Sequence, residues 1–195
     1  NAVALIDVID QTTTPMGSRL LKRWLLLPLK DKLVIEERQH AVSYFLDHPE
    51  FSSIISGYMK QVGDLERLIS KVALGKISPR EVQQLRRSLE MVNSIRESCL
   101  NTENSSIRTI ADQLNSCQLI KERITTELHP DAPVLVKKGG VINDGVSAEL
   151  DELRNISLHG KDYLLKVQQR EAEKTGISSL KVGFNNVFGY FIEVS

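Results

Sequence analysis

The feature that most constrains this chain is a succession of apolar stripes at helical spacing, each closed by a cap, a proline or a glycine. The clearest is Phe51, Ile54, Ile55, Tyr58, Met59 and Val62, at i, i+3, i+4, i+7, i+8 and i+11, which lie along one side of a 3.6-residue helix. Upstream, Thr14 caps and Pro15 opens a helix whose face is Met16, Leu20, Trp24 and Leu27 and which Pro28 ends. Asp31 starts the next, with Val34, Ile35, Ala41, Val42, Phe45 and Leu46, and it stops before Pro49. Gly63 marks a break, and Leu65, Leu68, Ile69 and Val72 then form a stripe ended by Gly75. Ser78-Pro79-Arg80-Glu81 is a capping box with proline at the first helical position, leading a helix with Val82, Leu85, Leu89, Val92 and Ile95. Beyond the polar loop at 101–105, Ile107, Ile110 and Leu114 predict one short helix. Leu119, Ile120, Ile124 and Leu128 predict another, stopped at Pro130. The opening run Val3 to Ile9, broken by Asp7, fits a strand or a lead-in segment.

Near residue 130 the pattern changes. Val134-Leu135-Val136 and Val141-Ile142 flank Lys137-Lys138-Gly139-Gly140, a turn between two very short extended pieces, and Asn143-Asp144-Gly145 makes a second turn. Ser147 caps a long helical stretch with Glu149, Asp151 and Glu152 near its positive end. Run to about Lys174, with a bend at Gly160, it is a rod of roughly 40 Å. Its second half is polar nearly all round, so it reads as a projecting arm that bridges solvent or waits for a partner. At the end, Leu180, Val182 and Phe184, then Phe188, Tyr190, Ile192 and Val194, alternate with other residues about a loop near Asn185 to Val187, which predicts a β-hairpin. The expected fold class is therefore mainly α: a helical bundle, a long projecting helix and a terminal β-hairpin, divided at 1–145 and 146–195. Because the chain starts Asn1-Ala2-Val3 without Met and stops at Ser195 within a strand pattern, it reads as a piece of something longer. A two-stranded ribbon is marginal alone, so partner strands are expected beyond it.

Composition narrows the function classes. The chain has 195 residues, 41 % of them apolar and 26 % charged, which excludes wholesale disorder. Two cysteines, Cys99 and Cys117, cannot build a disulfide framework or a four-thiolate zinc site, and both read as inert thiols. No apolar run reaches the roughly 20 residues of a membrane span, and no secretory or lipid signal is present. A cytoplasmic location is the simplest expectation. Phosphate-loop, H-E-x-x-H, C-x-x-C and G-x-S-x-G motifs are absent, and Lys137-Lys138-Gly139-Gly140 has the wrong order for a phosphate loop. The four histidines are scattered, with His48 and His129 each preceding a proline at a helix end. No constellation supports a metal or nucleophile enzyme. The 25 basic and 25 acidic side chains cancel. From Asp131 onward eight basic residues face nine acidic ones, which excludes a tight electrostatic binder of nucleic acid. A few phosphate contacts through backbone N–H groups, Asn amides and single lysines remain compatible with that count.

Several segments, in order along almost the whole chain, resemble the MutS DNA mismatch repair family. The stretch from Asp10 to Leu29 (DQTTTPMGSRLLKRWLLLPL) resembles the start of its core, or lever, domain. Gly63-Asp64-Leu65-Glu66-Arg67-Leu68, with Gly75 to Arg80 after it, is similar to the next block. Pro133 to Gly145, followed by Glu149 to Arg154, is similar to the passage into the clamp arm, and Glu173 to Val194 to the clamp hairpin. Between about 93 and 128 only helical periodicity speaks.

The resemblance implies lever helices in 1–145 and an arm helix with the first half of a DNA clamp in 146–195. It implies a parent that is a homodimer on mismatched double-stranded DNA, with a mismatch-reading domain upstream, an ATPase domain using ATP and Mg downstream, and a MutL-type repair partner. No cofactor and no catalytic activity are expected in this segment. Within the clamp, Lys181, Asn185 and Asn186 are the first candidates for contact with the DNA backbone, and Arg170 and Lys174 on the arm are the second. Lys22 and Arg23 beside Trp24 could suggest base stacking, but Trp24 shares a face with Met16 and Leu20 and is expected in the core. The alternative is a helical scaffold that binds protein partners through its arm and hairpin, with no DNA role. A surface near Lys181 and Asn185 that gathers the arm's cations would favour DNA; an apolar or acidic one would favour protein.

Overall fold

A computed structural model describes residues 3–194, the side chain of Lys161 apart. Asn1, Ala2 and Ser195, on which the reading of the chain's ends rests, lie outside the described residues. The elements are α1 (Leu5–Ile9), α2 (Pro15–Leu26), α3 (Lys32–Asp47), α4 (Pro49–Met59), α5 (Leu65–Ala73), α6 (Pro79–Leu100), α7 (Ser105–Asp112), α8 (Gln118–Glu127), a 3-10 turn at Val136–Lys138, α9 (Ala148–Leu158), α10 (Gly160–Thr175), and the strands β1 (Lys181–Asn185) and β2 (Gly189–Glu193). The fold is mainly α with one antiparallel ribbon at its C-terminal end.

The helices start where short polar side chains satisfy their first amides. Thr14 Oγ1 accepts from Gly17 N at 3.0 Å, Asp31 Oδ1 from Leu33 N at 2.9 Å, and Asn104 Oδ1 from Ile107 N at 3.0 Å. Ser78 and Glu81 close the capping box, the Ser78 amide donating to Glu81 Oε2 at 3.0 Å and the Glu81 amide to Ser78 Oγ at 3.4 Å. Asp64 caps α5 and also takes the fork of Arg19 at 2.7 and 3.0 Å, while Arg19 Nε donates to Glu66 at 2.6 Å. That bidentate pair ties α2 to the head of α5.

Contacts divide the chain into two compact units between Asn143 and Asp144. In the first, α6 packs against α4, α5, α7 and α8. Ala41, Ile55, Cys99, Ile107 and Ala111 form one buried cluster, and Leu68, Leu85 and Leu89 form a second. Two buried polar residues of α6 fix the chain around it. Ser88 Oγ accepts from the amide of Gly63 at 2.9 Å and donates to the carbonyl of Gln84 at 2.9 Å. Gln83, 3 % exposed, donates through Nε2 to the carbonyls of Leu128 and His129 at 3.0 Å each and accepts from Arg86 Nε at 2.8 Å.

Four local readings change. The opening run is the helix α1, and Asp7, which interrupts its apolar pattern, accepts from the Ala4 amide at 3.0 Å. The two extended pieces around Lys137 do not pair with each other. Gly139 and Gly140 both take positive φ, +70° and +64°, a turn that glycine makes at little steric cost. Residues 141–143 then run beside the end of α8: Leu128 bridges Ile142, and the Asn143 amide donates to Glu127 O at 3.0 Å. The expected rod from Ser147 is two helices, because the backbone at His159 leaves helical geometry (φ −113°, ψ 32°) ahead of Gly160. Trp24 is not core. It is 42 % exposed, and the Arg38 guanidinium of α3 lies over its ring, 3.8 Å from the centroid. This cation–π contact covers the face that packing would have covered.

Replacing Gln83 by Leu removes the donor to Leu128 O and His129 O inside the fold, and the expected cost is about 2 kcal/mol; urea unfolding followed by circular dichroism checks it, and an unchanged midpoint contradicts it. Glu81 supplies a pH test. Lys71, and after it the Ser78 amide and hydroxyl, hold its carboxyl down from 4.5 to about 2. Its contribution to stability is therefore complete above about pH 4.5 and is lost as pH falls toward 2. The melting temperature of Glu81→Gln is expected to fall less steeply across that window than that of the parent; parallel curves contradict this.

Candidate nucleic-acid interface

The second unit holds the residues singled out for DNA contact. α9 is capped by Ser147 and tied to the chain ahead of it: the Gly145 amide donates to Asp151 Oδ2 at 2.7 Å, and Arg154 pairs with Asp144 at 2.6 Å and Asp151 at 3.1 Å. α10 ends at Gly176, whose φ of +72° turns the chain out of the helix. The next residues bring β1 beside α10, and the Val182 amide donates to Gln168 Oε1 at 3.2 Å. Leu180, 4 % exposed, is the one buried residue among the described residues of this unit.

The ribbon runs in the register Lys181↔Glu193, Val182↔Ile192, Gly183↔Phe191, Phe184↔Tyr190 and Asn185↔Gly189. On one face Val182 and Ile192 adjoin Phe184 and Tyr190, whose rings lie 4.9 Å apart. On the other, the Phe191 ring covers Gly183 so closely that a Cβ there would lie 2.7 Å from it. The loop is organised by Asn185, whose Oδ1 accepts from Val187 N at 2.7 Å and Phe188 N at 2.8 Å. Val187 and Phe188 stand at the loop 82 % and 81 % exposed.

Asn185 and Asn186 are at the loop, and Lys181 is at the foot of the ribbon, about 13 Å away along β1. Among the described residues the side-chain nitrogens of Asn185, Asn186 and Lys181 have no protein partner, and Lys181 makes no ion pair with Glu193 across from it. Arg170 and Lys174 are on α10, where one carboxylate holds both: Glu171 Oε1 lies 3.0 Å from Arg170 Nε and 3.8 Å from Lys174 Nζ. Sequence reasoning missed Glu171, although its positions relative to Arg170 and Lys174 were the available signal. It missed the tie from Gln168 as well, which nothing in the local pattern announces. From Val182 to Ile192 the ribbon carries no charged side chain at all.

No group of three or more His, Cys, Asp or Glu that could hold a metal occurs among the described residues, and Val136–Lys138 is a 3-10 turn without the strand–loop–helix of a nucleotide phosphate site. No helix of the described residues is long and apolar enough to cross a membrane.

A helical first unit, together with a second unit of two helices and a two-stranded ribbon, defines the class, and comparison with known proteins gives the family. The model of MutS domain III matches residues 1–186. The chain is 57 % identical over 191 residues to the DNA mismatch repair protein MutS of Phocaeicola vulgatus, 55 % over 191 to that of Bacteroides thetaiotaomicron and 55 % over 194 to that of Christiangramia forsetii. These alignments cover 98–100 % of this chain and 22 % of each relative. The chain belongs to the MutS domain III family, and it spans about a fifth of the length of the relatives it matches.

Gly183→Ala is expected to push the Phe191 ring off the strand and loosen the ribbon without altering the first unit. NMR checks this: the ring-current shift on the α-protons of Gly183 and the cross-strand contacts from 181 to 193 would be lost, and an alanine variant that keeps those contacts contradicts it.

Proposed function

We propose that this chain serves in DNA mismatch repair as the lever and the first part of the clamp of a larger protein, and that its ribbon bears on the backbone of double-stranded DNA without reading sequence. In this reading the first unit is the stiff body that passes conformational change along, since packed helices move as bodies rather than deform. The ribbon supplies amide donors from Asn185 and Asn186 and a charge from Lys181. The observation that carries the reading is the absence of any carboxylate from Val182 to Ile192, so that a phosphate approaching the loop meets donors and no repulsion. Arg170 and Lys174 exchange Glu171 for phosphate when DNA is near. Mismatch reading, ATP and Mg, a homodimer and a MutL-type partner belong in this account to the whole protein, acting in the cytoplasm and on mismatched double-stranded DNA. The segment itself is not an enzyme.

A second reading, a scaffold whose ribbon docks on protein, is favoured by one observation: the exposed Val187 and Phe188 at the loop. Titration of the chain with matched and mismatched duplexes over a range of salt separates the two. Binding weaker than about 1 μM at physiological salt, indifferent to the mismatch, is expected. Lys181→Gln is expected to lower the slope of log affinity against log salt by about 1, and Glu171→Gln to raise it by about 1. Submicromolar affinity at physiological salt contradicts the expected weakness; no binding to either duplex at low salt, or a slope that neither substitution moves, overturns the DNA reading.

A further inference from the structure

We propose that a groove in the first unit, between α6 and the turn after α8, is a docking surface for an acidic helical segment of a protein partner. The groove has a volume of about 580 Å³ and is walled on the α6 side by Arg80, Gln84 and Arg87 and on the other by Gln61, Asp131 and the buried Ala132. Its floor is settled internally, because Gln83 spends both ends of its amide on Leu128, His129 and Arg86. The two guanidiniums are not. Among the described residues no carboxylate lies within 4.0 Å of Arg80 or Arg87, whereas Arg86 between them pairs with Glu90, and Glu81 beside Arg80 is taken by Lys71 and Ser78.

Arg80 also stands in the first turn of α6, where the helix's own amides disfavour a cation. It adds a positive charge to that helix end, with Glu81 in the same turn held by Lys71 and Ser78. Seven residues separate it from Arg87, which is two turns, or about 10 Å, along one side of the helix. Carboxylates seven residues apart on a second helix, laid alongside α6, would meet both guanidiniums in register, and a guanidinium fork is suited to a carboxylate. Gln61 and Gln84 would supply neutral donors between them. Asp131 decides against a nucleic-acid occupant. A duplex presents its charges in unbroken succession and would set a phosphate against Asp131, while a peptide can place a neutral or basic side chain there. The surface therefore fits a partner of mixed charge with two carboxylates two turns apart, and it is independent of the ribbon.

The test uses the whole chain and a synthetic alanine-rich helical peptide of about 20 residues with two glutamates seven residues apart. Its amide shifts are followed by NMR during titration. Shifts are expected at Gln83 to Arg87 and at Asp131 and Ala132. The affinity is expected to drop about tenfold for the doubly substituted Arg80→Gln, Arg87→Gln chain and for a peptide with glutamine in place of both glutamates, and to rise about threefold for Asp131→Asn. All three substituted positions are exposed, and an unchanged thermal melt verifies that the variants fold. The proposal is overturned by silence at these amides up to millimolar peptide, by an equal response to the glutamine peptide, by an unaltered response of the double variant, or by a duplex that moves the same amides at lower concentration than the peptide.

Discussion

The first unit depends on two buried polar side chains of one helix. An all-apolar α6 would bury as much surface, but it would leave open how the connections on either side of it run. Ser88 fixes the chain at Gly63, between α4 and α5, and Gln83 fixes it at Leu128 and His129, where α8 ends. Buried donors and acceptors of this kind are costly unless every one is matched, and here each is. No buried side-chain nitrogen or oxygen among the described residues lacks a hydrogen-bond partner. Matching admits one arrangement of the surrounding turns. The bridge from Leu128 to Ile142 and the bonds of Asn143 to Thr125, Thr126 and Glu127 follow from it and bring the chain to the boundary of the unit.

The second unit is held differently. Among its described residues only Leu180 is buried, and a two-stranded ribbon alone is marginal. What keeps the ribbon in one register is local: the Asn185 side chain closing the loop, Phe191 over Gly183, and the Gln168 side chain taking the outward amide of Val182. Electrostatically the unit is restrained, with Glu171 holding the two cations nearest to it. In the proposed reading, weak, sequence-blind attraction suits a surface that would meet any duplex, whereas a strongly basic one would hold DNA wherever it met it.

The helices were legible because their signals are local. A capping residue, a proline at the first turn and an apolar stripe all lie within a dozen residues, and the boundaries of α2, α3, α6 and the ribbon follow them. What escaped depends on partners far along the chain. Gln83 gives no signal in the sequence, because its acceptors lie 45 and 46 positions away. Trp24 reads as core because its periodicity cannot reveal that Arg38 covers one face of its ring. The segment 134–142 reads as two short extended pieces about a turn because consecutive glycines signal a turn without saying what lies across from residues 141–142. At the candidate interface the residue types were legible, but their separation along β1 and the capture of Arg170 and Lys174 by Glu171 were not.

The central claim, that the ribbon loop meets DNA, is most directly tested by a photo-crosslinking side chain placed at Val187. Leu119 on α8 serves as the control, since both positions are 82 % exposed. The account predicts crosslinks to duplex DNA from Val187, equal on matched and mismatched duplexes and suppressed by salt, and none above background from Leu119. Equal yields from the two positions, or crosslinks from Val187 that persist unchanged in high salt, would contradict it.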